Sequence, residues 1–300
     1  MAFKSAALAG ISIERLQTLC SVVSAGSIVL AAGPDPNRQS QFSRQLKALE
    51  EALGLGLFDR TGKTLKLNEN GRRVVLAAHT FFGSLDDVMN TATAAAESVA
   101  LGASDAVLRW LIMPHTAELM SGDPPLRFDL RTLSAESALR EILTGTLDLA
   151  IVRSDTITED VQSEVITTLR YVLAVPRTLL RSQEGAEVFE GKPLPFVELA
   201  GDALFTKNVK TTAAALGLNL RPVLQAQSFS LLISAVESGT AAAFLPTIAA
   251  KSLPEQRFAH VTADGIKAMD RSMSLVWKNE VLESRISVRR AISRLKRALA

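Results

Sequence analysis

Between residues 74 and 105 the chain carries no lysine or arginine and only four acids. Val74, Ala77 and Ala78, Phe81, Leu85 and Val88 fall along a seam close to heptad spacing. A single helix is expected from Gly71 to about Ser98. It is too apolar to stand alone in water, so something must cover it. On pattern alone a partner helix and the core of its own domain are equal candidates.

That stretch separates two regions of different charge. Residues 1–73 hold ten Lys and Arg against six acids, residues 106–270 hold fifteen against nineteen, and residues 271–300 hold eight against two. The formal net charge of +2 hides a basic head and tail, and a local positive face matters more to a polyanion than the total does. On charge alone, ordinary surface solvation accounts for both. With 300 residues, 47% of them hydrophobic, the chain can bury the cores of about two domains, and disorder is excluded. The one cysteine, Cys20, excludes a disulfide scaffold and a multi-thiolate zinc site. His79, His115 and His260 are too far apart in sequence for a local metal motif, and no metal or cofactor is expected. The first apolar stretch, Ala6 to Ile13, is cut short by Glu14 and Arg15, and no run of 18 apolar residues occurs. A cytoplasmic protein without a membrane segment is expected.

The first seventy residues carry the strongest pattern. Leu16, Leu19, Cys20 and Val23 form one apolar stripe, which makes Cys20 a core residue rather than a reactive thiol. Gly26 stops that helix and Ser27 can cap a short second one, Ile28 to Ala32. Asp35 or Asn37 can cap a third, with Pro36 in its first turn. Phe42, Leu46, Leu49 and Leu53 line its inner face, while Arg38, Gln39, Ser40, Gln41, Ser43, Arg44, Gln45 and Lys47 are left for the outside. Arginine pairs bidentately with guanine and glutamine with adenine, while serine and lysine hold phosphates. Two short helices and a third with this face fit a helix-turn-helix. Leu57 to Arg60 and Thr64 to Leu67 then read as strands about a glycine turn, a wing whose Arg60, Lys63 and Lys66 would meet the DNA backbone. Asn68 caps the long helix.

Leu16 through Gly71 resembles the winged helix-turn-helix of LysR-type transcriptional regulators. The resemblance rests on Gly26-Ser27, Ala31-Ala32, Gln39, Ser43-Arg44-Gln45-Leu46, Leu49 to Gly54, Leu57 to Lys63 and Leu67 to Gly71, in ungapped spacing. Arg38-Gln39-Ser40 stands where the family usually has Ser-Gln-Pro. The resemblance implies double-stranded DNA as a partner and a homodimer or homotetramer, with the apolar helix as its dimerising linker.

Beyond residue 105, strand and helix signals alternate as in an α/β domain. Strands are expected over 107–113, 126–132, 147–152, 171–175, 195–199, 242–245 and 272–277. Helices are expected over 135–143, 209–216, 229–238 and 284–299. Gly145 to Ile151, Val236 to Gly239 and Phe244-Leu245-Pro246 resemble the family's effector-binding domain, which is similar to periplasmic binding proteins. The fold class is therefore α/β: an N-terminal all-α winged helix-turn-helix (1–72), a linker helix (73–104) and a two-subdomain effector domain (105–300). Its subdomain one is expected over 105–158 and 266–300, and subdomain two over 159–265. The segment between Met113 and Leu126 is short for the family, which implies a truncated opening helix.

In such a fold the ligand sits beyond the carboxyl ends of strands, near helix N-termini. Together with the family pattern this selects Pro114, His115, Thr116, Thr132, Ser134, Arg153, Thr206, Lys207, Ser228 and Phe229. Arg153 and Lys207 with nearby hydroxyls would suit a small carboxylate. Each also has a plain structural reading: Ser134 as a helix cap, Arg153 as a hinge ion-pair partner, Lys207 as a solvated charge. Gly54-Leu55-Gly56 lacks the third glycine of a dinucleotide loop, and no Walker loop, His-Glu-x-x-His or Gly-x-Ser-x-Gly occurs. A regulator that is not an enzyme is expected. The alternative is a small-molecule-binding module or α/β enzyme that has lost productive DNA binding, and a membrane-surface role for the basic C-terminal helix ranks last.

Overall fold

A computed structural model describes residues 10–61, 64–93, 95–158, 160–180 and 193–299. Helix α1 (Ile13–Ala25) starts at Ser12, whose Oγ accepts the Arg15 N–H, and stops where Gly26 turns left-handed at φ +78°. Ser27 caps α2 (Ile28–Ala32), and Asp35 caps α3 (Pro36–Leu53) by accepting the Asn37 N–H at 2.9 Å. The caps expected at Ser27 and Asp35 are in place. Leu46 and Leu49 of α3 pack on Leu19 and Val22 of α1 in a small core, with Phe42 and Leu53 at its margin. Cys20 is buried and free.

Strands β1 (Phe58–Thr61) and β2 (Thr64–Leu67) pair antiparallel, with Phe58 opposite Leu67. Asn68 then accepts the Gly71 N–H at 2.9 Å and opens α4 (Glu69–Thr93). A Cβ on Gly71 would lie 2.2 Å from the Leu57 carbonyl oxygen. Only glycine lets α4 leave the wing at that distance.

The linker helix ends at Thr93, not near Ser98, and Glu97, where β3 (Glu97–Ala103) starts, is strand rather than helix. A helical run, α5 (105–120), follows, with one wide turn over Leu108–Ile112. This corrects two expectations. The apolar run 107–113 is helix rather than strand, and the opening helix is not truncated. Ala106, Val107, Leu108, Leu111, Ile112 and Leu119 are all buried while Arg109 and Met113 are exposed, and a short, mostly apolar run does not distinguish a buried strand from a helix.

The remaining elements are β4 (Leu126–Thr132), α6 (Ala135–Thr144), β5 (Leu149–Arg153), β6 (Gln162–Leu169), β7 (Tyr171–Pro176) and β8 (Leu194–Leu199). Then come α7 (Ala203–Ala215), β9 (Leu220–Ala226), α8 (Phe229–Glu237), β10 (Ala243–Pro246), α9 (Thr247–Ala250) and β11 (Phe258–Val261). The chain closes with β12 (Arg271–Trp277), α10 (Asn279–Ser284) and α11 (Ile286–Leu299). The first sheet has the order β4-β3-β5-β12-β6, parallel from β4 to β5 and antiparallel around β12. In the second, β7 lies antiparallel between β10 and β11, and a bridge from Phe196 to Ala242 joins the parallel pair β8 and β9. The chain changes sheet at 169–171 and again at 269–271, with Arg271 registered opposite Leu169. Strand β6, expected in the second subdomain, is therefore hydrogen-bonded in the first. No helix among the described residues is long and apolar enough to cross a membrane.

One buried ionic cluster fastens α4 to the first sheet. Arg285, in extended backbone between α10 and α11, donates to Asp148 ahead of β5, to Asp87 of α4 (3.1 Å) and to the Ser98 carbonyl (2.7 Å). Asp87 also accepts the Ser287 N–H (3.1 Å) and hydroxyl (2.8 Å), which caps the first turn of α11 from another helix. Asp148 takes the Ala100 N–H at 2.8 Å. A Cβ on Gly83 would lie 2.7 Å from the Arg285 side chain. The glycine inside α4 makes room for the guanidinium, against the ~1 kcal/mol that glycine costs a helix.

Removing one partner of such a cluster strands the others. Arg285→Ala should destabilise the C-terminal domain by about 3–5 kcal/mol in urea denaturation. Burial already raises the Asp148 carboxyl and the Arg285 charge opposes that rise, so without Arg285 its folded-state pKa stands further above its unfolded one. The deficit against wild type should therefore shrink as pH falls towards the ordinary carboxylate range. Separately, burial pushes the Cys20 thiol up to about 11. Ellman's reagent at pH 8 should leave it intact in the native protein and titrate it fully in urea.

Candidate functional site

Two regions bring the candidate residues together. The first is the outer face of α3. Arg38, Ser40, Gln41, Ser43, Arg44 and Lys47 are exposed on it, above the apolar underside that packs on α1. The Arg38 guanidinium lies 5.4 Å from the centre of the Phe42 ring, Gln41 donates to Glu14 at 3.3 Å, and Lys47 pairs with Glu51 at 3.8 Å. Gln39 does different work. It is half-buried, and its Nε2 donates to the Gly33 carbonyl at 2.8 Å, which ties α3 to the turn after α2. Gln45, expected on the outer face, is instead half-buried behind it: Thr18 donates to Gln45 and Gln45 to Glu14, so α1 holds α3 in rotation. Arg60 stands in β1 and Lys66 is exposed on β2. Lys63 lies outside the described residues.

The second region is a cleft of about 680 Å³ between the two sheets. Thr132, Ser134, Arg153, Ser228 and Phe229 line it, as the sequence rule selects. Ser134 accepts the Ser137 N–H at 3.2 Å and Ser228 the Leu231 N–H at 3.3 Å, so each caps a helix whose N-terminus faces the cleft. Ser104, ahead of α5, and Asp202, ahead of α7, bring two more helix starts to the same wall. Four positive dipole ends thus converge on one space.

Five candidates lie elsewhere. Pro114, His115 and Thr116 sit in the second half of α5, and the Thr116 hydroxyl donates to the Met113 carbonyl at 2.9 Å. No strand ends there to bring them to the cleft; the loop leaving β3 toward the cleft is Ser104-Asp105. Thr206 and the exposed Lys207 line an adjoining depression of about 660 Å³ with Lys210 and Gln225, which meets the cleft along Leu199 to Ala203. The Thr206 hydroxyl donates back to the Asp202 carbonyl at 3.0 Å, and Lys207 stands in the second turn of α7, which starts at Ala203, six residues before its expected start, and does not line the cleft.

The cleft holds charged residues that the spacing did not select. Arg153 and Arg271 each place Nη1 2.7 Å from Asp202 Oδ2, while Asp202 Oδ1 accepts the Phe205 N–H at 2.9 Å. Burial alone would raise the Asp202 carboxyl. The hydrogen bonds from Arg271 and the Phe205 N–H, with the charge of both arginines, instead hold it below the ordinary range. Arg271 also stacks 5.0 Å above the Phe205 ring, in a group completed by Tyr171 and Phe229. Burial pushes the Tyr171 hydroxyl up to about 12, so it stays a neutral donor. Across the cleft, the Ser230 hydroxyl donates to Asp105. Gly201-Asp202 ahead of an apolar run is a readable cap signal. Its pairing with residues 49 and 69 positions away is not.

Family models match this chain twice: as a bacterial regulatory helix-turn-helix protein of the lysR family over residues 13–72, and as a LysR substrate binding domain over residues 92–300. A probable RuBisCO transcriptional regulator of Synechocystis sp. is 23% identical over 266 residues, covering 83% of this chain and 76% of the relative. The structure is similar to ArgP from Mycobacterium tuberculosis, with TM-score 0.68 and 16% identity, covering 95% of this chain and 96% of that one. It is also similar to full-length LysG from Corynebacterium glutamicum with bound effector Arg, with TM-score 0.66 and 18% identity, covering 96% and 98%. With the second family match alone spanning well over half of its length, the chain belongs to the LysR family of transcriptional regulators.

Proposed function

We propose that this protein is an effector-responsive regulator of transcription and not an enzyme, working in the cytoplasm as a homo-oligomer. In this reading residues 1–72 bind double-stranded DNA, 73–104 pair the protomers and 105–300 bind a small molecule between two subdomains. The observation that carries it is the exposed face of α3, where Arg38, Gln41 and Arg44 project from a helix that α1 holds in rotation. Such a face can enter a major groove while the wing and its Lys66 lie on the backbone.

The linker helix supplies the second element. Phe81, Leu85, Val88 and Met89 remain 42–66% exposed on one side of α4, opposite the side that Asp87 fixes to the sheet. Four large apolar side chains at i, i+4, i+7 and i+8 are an incomplete helix interface. A second copy of the same helix completes it and sets two α3 helices at a fixed separation.

Two measurements test this. In titrations against the DNA upstream of its own reading frame, Arg44→Ala should lose about 1–3 kcal/mol of discrimination between operator and random sequence. Lys66→Ala should instead weaken both alike and reduce the salt slope by about one. Unchanged operator preference in Arg44→Ala would remove α3 as the reading element. In sedimentation, Leu85→Asp should shift the protein to a smaller species, because the seam would bury an unpaired charge. A wild type that sediments as a monomer at micromolar concentration overturns the pairing.

A further inference from the structure

We infer that Asp202 is an internal counter-ion occupying the anion subsite of the cleft, and that the effector carries an anionic group that takes its place on Arg153 and Arg271. The inference rests on the cleft being the effector site. It begins from where the three residues stand. Arg153 ends β5 in the first sheet, Arg271 begins β12 where the chain crosses between sheets, and Asp202 precedes α7 in the second subdomain. One carboxylate oxygen therefore spans the cleft, 2.7 Å from a nitrogen of each arginine.

The arrangement is under-satisfied in a way a ligand can improve. A guanidinium presents five N–H donors and matches a carboxylate edge to edge. Here the two guanidiniums meet on a single Asp202 oxygen, because Asp202 Oδ1 is taken by the Phe205 N–H, and Arg153 Nε separately donates to the exposed Asp155 at 3.1 Å. Arg271 is only 10% exposed, and its Nη2 has no partner among the described residues. The ring of Phe205 lies beneath that guanidinium and cannot supply an acceptor lone pair. A free carboxylate or similar anion, not committed to a helix cap, can offer both of its oxygens.

The exchange also has a mechanical consequence. Asp202 belongs to one subdomain and Arg153 to the other, so their bond holds the cleft in one setting, helped by Ser230 on Asp105. An anion that replaces Asp202 breaks this cross-link and substitutes a bridge of different length. That supplies the differential affinity for two settings without which a ligand shifts no equilibrium. Asp202 can keep its cap on Phe205 as α7 moves with the second sheet.

The test uses the full-length protein and sodium malonate as the probe, at constant ionic strength with sodium chloride. Asp202→Asn and Asp202→Ser both retain an acceptor for the Phe205 N–H and lose the charge. Each should bind malonate at least tenfold more tightly than wild type in calorimetry, with a matching rise in melting temperature. Adding Arg271→Gln should abolish that gain, and Lys207→Gln should leave it intact. Equal malonate affinity in wild type and in whichever Asp202 variant folds overturns the proposal, as does a gain that survives Arg271→Gln. Footprinting on the upstream DNA separates the two layers. Tight malonate binding by the variants with no footprint change keeps the subsite and removes the cleft's regulatory role. A malonate-dependent footprint whose midpoint ignores Asp202 keeps that role and removes the counter-ion.

Discussion

Arg285 is the charge around which the chain is organised. A guanidinium 7% exposed needs anions, and the chain brings two from positions 137 and 198 residues away. Satisfying it fixes several things together. Asp87 must face inward, which sets the rotation of α4 and turns Phe81, Leu85 and Val88 outward. The backbone must be extended at residue 285, which divides the basic tail into α10 and α11. A glycine must stand at position 83. A cluster of this kind adds little net stability over an apolar replacement, but it penalises every other rotation of the helix. Its contribution is to orientation. The DNA-binding module hangs on α4, so its attitude toward the effector domain is set by these three side chains.

The two halves of the molecule differ in how much of them the sequence displays. In the first seventy residues the signals are local: Ser27, Asp35 and Asn68 cap the helices that follow them, and Gly26 ends the one before. Each acts within three residues, and all are read directly. In the effector domain the decisive contacts are distant. Four strands had no expectation: β6, β9 and β11 lie at sheet edges, with β9 exposed from Arg221 to Gln225, while β3, inside the first sheet, is hidden because it continues the small and apolar run that reads as linker helix. The run 107–113 misleads for a different reason: all of its residues but Arg109 are apolar, so the outer helical face marked by exposed Arg109 and Met113 is lost in what imitates a central strand. That single error moved three cleft candidates onto Pro114, His115 and Thr116.

The cleft shows what a spacing rule can and cannot retrieve. Caps after strand ends bring Ser134 and Ser228 to the cleft wall, because a cleft lined by helix N-termini is a topological property. Asp202 satisfies the same rule, yet its importance comes from Arg153 and Arg271, with which it shares no sequence neighbourhood. The bland reading of Arg153 as an ion-pair partner is also the structural one. An arginine already neutralised by an internal carboxylate is not a waiting cation, so counting basic residues overstates the attraction for an anion. What decides is whether a ligand satisfies more donors than the incumbent does.

The two ionic groups are joined by one strand. Asp148 immediately precedes β5 and Arg153 ends it, with the four residues between them buried. Five residues of strand span about 17 Å at 3.3–3.4 Å each, and β5 is flanked by β3 on one side and β12 on the other. A strand so enclosed resists bending, because any local change breaks ladder bonds to both neighbours. It tilts or shifts as a unit. The Arg153 end meets the cleft through Asp202, and the Asp148 end meets the linker helix through Arg285. A change in how Arg153 is held is thus imposed on an element whose other end carries the anchor of α4. The distance between effector cleft and linker is one strand long, and no flexible segment intervenes.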